Sequence, residues 1–529
     1  MRLSKKNKLL CFLILWRLIS VFLVQTAHVP DEYWQSVEVA HRLAFGYGYL
    51  TWEWIAKIRS YIYPFLISGI YRLLALLSLD HVTILITLPR ILQAIITAYG
   101  EYRFFQWTRN KWTLYSLCIN WYWYYCATRT LINTMETAFT MIALSVFPWR
   151  DSNIKHVHFL WIVGFLCMMR PTAAIIWLPF CLYHLCTSSE NKLMLMCKYI
   201  IVGFICFLSS VLLDIYCYGA LVVSPWEFFC VNVLHKIGDL YGTQHLLWYI
   251  YSGLPVLLGL YYPVFLLCTW QIIKHPTCFH HQTIMLIVVG WTIGIYSLVS
   301  HKEFRFLLPL LPMLIYICTS CTFHLYVNFI KPARKVFVTL LIVSNILPGI
   351  YFSMVHQRGS LDVMKILHSE FVNNANTTNL LFLTPCHATP LYSHLHVNIP
   401  IRILSCEPNL KDSTNYVDEA DTFFENPMHW LTNTYSNNES MPSYIIMFDN
   451  ILPRIRKFLE YYDIVSKAFY REGTTKDYFS RGVIIHAKSH GNNDQSSDYF
   501  SIFNSRKLPS REMIVYRYQA GLESRNRRR

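Results

Sequence analysis

The stretch HVPDEYWQSVEVAHRLAFGYGYLTWEW, residues 28–54, sets two adjacent carboxylates, Asp31 and Glu32, directly behind an apolar run that begins near Leu9. A carboxylate held there can accept the proton of an attacking hydroxyl. A second cluster, SHKEFRF at 300–306, crowds His301, Lys302, Glu303 and Arg305 between two apolar runs. Ionisable groups at such a junction are costly unless paired or functional, and three potential cations suit a phosphate-bearing lipid. Further charges stand within or beside apolar runs: Arg170 in MMRPTA, Asp214 in LLDIYCYG, and Arg129 with Glu136 in ATRTLINTMET. Pro171 after Arg170 frees a backbone carbonyl and opens a polar spot in a helix. An acid that takes a proton, facing cations that stabilise a departing phosphate, is what glycosyl transfer from a polyprenyl phosphate sugar requires. The plainer readings are that Asp31 and Glu32 only favour a helix N-terminus, that 300–306 is a charged turn anchoring two helices, and that the intramembrane ions pair with one another.

The elements that must position these groups are set by hydropathy. With 54% hydrophobic residues and a mean hydropathy of +0.31, the chain is no ordinary soluble enzyme. Windows of bilayer-crossing length mark about eleven transmembrane helices, near 9–26, 61–79, 82–104, 112–128, 131–148, 157–183, 193–217, 247–270, 282–300, 304–326 and 336–354. The basic leader Arg2, Lys5, Lys6 and Lys8 also suits a signal peptide, but Arg17 interrupts the apolar stretch and no small-residue cleavage site follows. An uncleaved first helix with a cytosolic N-terminus is therefore expected, with lumenal loops at 28–60 and 218–246. After Pro30 the sequence predicts a short helix lying along the membrane surface, its stripe formed by Tyr33, Val37, Ala40 and Ala44. Trp34, Tyr47, Tyr49, Trp52 and Trp54 would then sit at headgroup depth. The same count puts Arg129 near the cytosolic face, away from Asp31, so either the fourth and fifth spans are misdrawn or Arg129 is structural.

From residue 355 the texture turns polar, with short alternating runs that predict a water-facing domain of mixed strands and helices at 355–529, ending in a poorly ordered basic tail, SRNRRR. Two glycosylation sequons, at Asn376 and Asn438, and an odd number of spans both place this domain in the lumen. Of the 16 cysteines only Cys386 and Cys406 lie there, where an oxidising lumen permits a disulfide. Cys318 and Cys321, a C-x-x-C inside a span, are expected to pack as small hydrophobes. The net charge of +15 is scattered over loops and helix ends, which suits cytosolic loops and membrane lipids and not nucleic acid.

Taken together, HVPDEYWQSVEVAH, FGYGYLTWEW, RSYIYP, RTLINTMET, MRPTA, SHKEFRFLLPLLP, HQRGSLDVM and LTPCHATPLYSHLH resemble the GPI-anchor branch of glycosyltransferase family 22, from residue 28 to about 430. The resemblance implies a polytopic α-helical membrane protein of GT-C type in the endoplasmic reticulum, with a C-terminal lumenal α/β domain. It implies transfer of the third, α1,2-linked mannose from dolichyl phosphate mannose to the GPI-precursor glycolipid. A β-linked donor and an α-linked product mean inversion, so one base and one displacement suffice. Asp31 matches the expected base, and Glu32 would orient it or contact the acceptor. His301, Lys302 and Arg305 match an HKE-x-RF element and, with Arg170, are the candidates for the donor phosphate. Trp52, Glu53, Tyr241 and Trp248 are the candidates for the acceptor surface. No cofactor and no metal are expected. The chain departs from the family in HVPDE, where HPDE is usual, and in YGTQHLLWY, where YG-x-x-PWHWY is expected. The competing functions are a sister enzyme acting on the dolichol-linked oligosaccharide, a lipid transporter or scramblase, and a non-catalytic scaffold. A transporter would more often show internal repeats, and none is found.

Overall fold

The computed structural model describes residues 5–149, 157–328, 331–371, 378–409, 416–436, 441–470, 483–484 and 511–518. The chain divides into two compact units, one formed by 1–24, 31–45 and 50–352 and the other by 25–30, 46–49 and 353–529.

The first unit is helical. Among the described residues, Val82–Thr108, Lys192–Tyr218, His280–Leu298 and Lys335–Met354 are each long and apolar enough to cross a membrane. Outward-facing Phe204, Leu212, Trp270 and Ile273 are exposed, as lipid contact requires. The chain is a multi-pass membrane protein, but its helices do not follow the expected spans one for one. The expected span 157–183 is two helices, His158–Met169 and Ala173–Thr187, and Arg170 between them is extended because the residue before a proline is disfavoured in the helical region. The expected span 247–270 is a pair of helices, Tyr249–Leu258 and Tyr261–Lys274, bent by 114° between them. Gly259 makes the corner with φ +53°, a conformation that L side chains rarely adopt.

The expected fourth and fifth spans are also redrawn. Lys111–Ile119 and Trp121–Cys126 are separated by Asn120, whose side chain accepts the Trp123 N–H and starts the second helix. Ile132–Val146 is almost wholly inside the unit, so it contacts protein on nearly every side. It packs closely on Val82–Thr108. A Cβ added at Gly100 would lie 2.8 Å from the Ala138 carbonyl oxygen, so glycine is required for that approach.

The helix Lys5–Leu23 also packs on Val82–Thr108 and delivers Arg17, fully buried, to Glu101. Trp123 Nε1 donates to the same carboxylate at 2.6 Å, and the Arg17 guanidinium stands 5.7 Å from the Trp123 ring centroid. Burying this pair is tolerable because the carboxylate gains several donors at once.

The second unit carries a mixed sheet. Strand β1 (Leu380–Leu383) lies between β2 (Ile401–Ile403) and β3 (Tyr444–Phe448), parallel to both. Strand β4 (Tyr462–Tyr470) pairs antiparallel with β6 (Arg511–Tyr518), which also runs antiparallel to β3, and the short β5 (Val483–Ile484) pairs with β3, β4 and β6. Both β1 and β3 are buried along their whole length, as their unbroken apolar runs require. Leu381, Phe423, Trp430, Ile445 and Met447 form the core, and Cys386 and Cys406, joined in a disulfide with Cα atoms 6.2 Å apart, pack against it. Asn376, Asn438 and the SRNRRR tail lie outside the described residues.

Candidate active site

Asp31 opens the first loop's helix, but that helix is enclosed by protein and has no broad exposed apolar stripe. It begins as a π-helical turn, Tyr33–Val37, continues as Glu38–Phe45, and every residue from Tyr33 to His41 is buried. The wide turn leaves the Trp34 carbonyl for an outside donor, and Trp54 Nε1 takes it at 3.0 Å. The segment after residue 50 is thereby folded over the helix. Trp34, Trp52 and Trp54 are buried inside the unit and not spread over its surface, and two of the indoles have internal partners. Tyr47 and Tyr49 are half-buried and belong to the second unit.

Asp31 Oδ2 meets Arg305 Nη1 at 2.5 Å, Arg305 Nη2 meets Glu303 Oε1 at 2.5 Å, and His301 Nε2 stands 3.0 Å from the same oxygen. The structure thus joins the two clusters in one ionic chain. Burial works to lower the His301 pKa, yet the hydrogen bond and charge of Glu303 overcome it and hold the imidazole above its usual value. Burial would likewise raise the Glu303 carboxyl, but Arg305 and His301 together hold it well below the usual carboxylate range. Asn133 Nδ2 donates to the Arg305 carbonyl at 3.1 Å and so fixes the arginine's backbone.

Glu32 turns inward. Its carboxylate accepts from Arg129 Nη1 at 2.7 Å, with both side chains buried, and Thr130 Oγ1 and Ser36 Oγ donate to its carbonyl. Arg129 therefore stands beside the residue next to Asp31 and not at the opposite face. The reason is that 127–131 is a buried turn between two short helices, not the exit of a span. Tyr125 stacks under the Arg129 guanidinium, its ring centroid 4.2 Å away.

The remaining candidates separate. Lys302 donates to the carbonyls of Val299 at 2.6 Å and Gln244 at 3.2 Å, which ties the loop around 244 to this junction. Arg170 pairs with Glu136 at 2.5 Å, and its guanidinium and that of Arg305 lie 5.5 and 5.6 Å from the Phe306 ring centroid. Trp248 packs on Phe304 with centroids 4.8 Å apart. Trp52 Nε1 donates to Tyr241 Oη at 2.9 Å. Glu53 accepts from Arg59 Nη2 at 2.5 Å and from Gln35 Nε2 at 3.0 Å. Asp214 meets no cation among the described residues. It accepts from Tyr61 N–H, Ser60 Oγ and Ser224 Oγ, and so pins the end of the 50–61 segment to the helix Lys192–Tyr218. Sequence reasoning passed over Gln35, Arg59 and Asn133, which sit in recognisable stretches but carry no spacing of their own.

Chemically, the set offers a partly exposed carboxylate, and an arginine whose second partner is another carboxylate. It can accept a proton and can offer positive charge to an anion.

Residues 8–396 match the Alg9-like mannosyltransferase family. GPI mannosyltransferase 3 of Drosophila melanogaster is 40% identical over 94% of this chain and 90% of its own length. GPI alpha-1,2-mannosyltransferase 3 of Homo sapiens is 38% identical over 86% of this chain and 82% of its own. Among solved structures, ArnT from Cupriavidus metallidurans bound to undecaprenyl phosphate has a similar fold, with a TM-score of 0.54 and 12% identity over 87% of this chain and 96% of that one. The fold is of the GT-C type, and by sequence the chain belongs to the Alg9-like mannosyltransferase family.

Proposed function

We infer that the chain is an α-1,2-mannosyltransferase acting on the GPI-anchor precursor, with dolichyl phosphate mannose as donor. In a single displacement the acceptor hydroxyl gives its proton to Asp31, its oxygen forms the bond to the anomeric carbon, and the bond from that carbon to the phosphate oxygen breaks. Dolichyl phosphate leaves with the electron pair. The reaction as written needs no metal, because proton and charge are both carried by side chains.

The observation that carries this reading is the Asp31–Arg305–Glu303–His301 chain. It also constrains the order of events. Inversion puts the incoming hydroxyl and the leaving phosphate on opposite faces of the anomeric carbon, which favours Arg305 leaving Asp31 as it takes up the phosphate. Arg305 therefore exchanges Asp31 for the phosphate as the donor binds, and the base is released when it is needed. His301, whose pKa Glu303 raises, stands next to Arg305 in this chain as a second group that can offer positive charge to the phosphate.

The membrane is that of the endoplasmic reticulum, with the N-terminus cytosolic and the site lumenal. The basic leader and the sequons at Asn376 and Asn438 support this placement. The test is to supply the chain to cells lacking the third GPI mannose and to identify the accumulated lipid. Extension of the dimannosyl precursor is expected. A precursor that stays dimannosyl would remove the reading.

A further inference from the structure

We propose that Glu53, Arg59 and Gln35 form the subsite for the acceptor's terminal sugar, and that they select its 2-hydroxyl by gripping the neighbouring ring hydroxyls. The proposal rests on the mannosyltransferase reading.

Glu53 is engaged on both oxygens, Oε1 by Arg59 Nη2 and Oε2 by Gln35 Nε2. Gln35 is carried by the π turn that directly follows the base, and the charges of Asp31 and Arg305 both reach Arg59. The three side chains therefore belong to the base's own surroundings. They are also held firmly. Tyr218 Oη donates to the Arg59 carbonyl at 2.7 Å, and Asp214 takes the next two residues, Ser60 and Tyr61. The pair is nevertheless not sealed, since the Arg59 and Glu53 side chains are 23% and 17% exposed. Arg59 Nε has no hydrogen-bond partner among the described residues.

A carboxylate, a guanidinium and an amide side by side present the acceptors and donors that a vicinal diol requires. Each hydroxyl can donate to the carboxylate and accept from the arginine or the amide. The Glu53 carboxylate disfavours an anionic ligand at the same spot, so a neutral sugar fits better than a phosphate. In mannose the 3- and 4-hydroxyls are equatorial neighbours and the 2-hydroxyl is axial beside them. Holding the first two leaves the third to face Asp31, which accounts for a 1,2 linkage.

The test uses the full chain purified in detergent, a short-chain polyprenyl phosphate mannose, a synthetic acceptor ending in α-mannose, and its 3-deoxy and 4-deoxy analogues. Wild-type protein should lose at least about tenfold in kcat/KM when a gripped hydroxyl is removed. Glu53→Gln and Arg59→Lys should each lose as much on the parent acceptor, with donor KM unmoved. The diagnostic is non-additivity: the variant with the deoxy acceptor should be little worse than either change alone. Penalties that multiply would overturn the subsite while leaving mannosyl transfer intact. A wild-type protein that transfers to none of these acceptors would take down the functional reading and the subsite with it. If Glu53→Gln does not fold, Arg59→Lys supports the same comparison.

Discussion

One guanidinium, that of Arg305, serves two carboxylates, and this sharing yields the sharpest expectations at the residue scale. Asp31→Asn removes proton acceptance, so turnover should fall by about two to four orders of magnitude. The same substitution frees Arg305 from a competing charge, so equilibrium binding of a short-chain dolichyl phosphate should tighten. Arg305→Gln should weaken it. Unchanged binding in Asp31→Asn beside weakened binding in Arg305→Gln would mean that no exchange occurs. His301 supplies a pH dependence. Its pKa in the fold lies above the ordinary value, so its contribution is complete below that value and fades as pH rises through the raised one. The advantage of wild type over His301→Gln in donor binding should therefore shrink from acid toward alkaline pH. A pH-independent difference would assign His301 to packing. At this scale the sequence showed Asp31 and the SHKEFRF cluster because charge stands out against an apolar background. It hid the partner of Glu32, since 97 residues separate Glu32 from Arg129 and no periodicity links them.

At the scale of elements, the π turn at Tyr33–Val37 does what a regular helix could not. It turns Gln35 toward Glu53 and leaves the Trp34 carbonyl for Trp54. Trp54→Phe keeps most of the ring and deletes the donor, leaving a buried carbonyl without its partner at a cost of about 1–3 kcal/mol. Thermal unfolding in detergent should begin earlier, and acceptor KM should rise more than donor KM. An unaltered acceptor KM would separate the turn from the sugar. Hydropathy marks where apolar chain lies but not where it bends. The break at Arg170 was signalled by Pro171, whereas the corner at Gly259 had no more signal than any other glycine in an apolar run. The buried helix Ile132–Val146 reads as a span because a core position and a lipid-facing position demand the same side chains.

For the whole molecule, the change of texture after residue 354 makes the sheet-bearing unit visible in the sequence, and the apolar runs at β1 and β3 place its core. The short pieces 25–30 and 46–49 belong to that unit yet have no compositional mark, because their membership depends on contacts and not on residue type. The disulfide closes a stretch with a sequence separation of 20. Loss of it, as in Cys386→Ser with Cys406→Ser, should lower the stability of this unit by about 3 kcal/mol, read as faster limited proteolysis after residue 353. Equal protease resistance with and without the bridge would refute that. The bent pair in the membrane unit has a wider consequence. Tyr261–Lys274 has 14 residues. At 1.5 Å per residue such a helix rises about 21 Å, well short of a hydrocarbon core of about 30 Å. Its Leu266, Leu267, Trp270 and Ile273 are exposed, a surface suited to lipid. This mismatch is relieved where the bilayer thins, and a dimpled leaflet brings polyprenyl headgroups down toward the protein. Reconstituted enzyme should accordingly turn over faster in lipids with short acyl chains than in lipids with long ones, which makes membrane thickness a regulator of transfer.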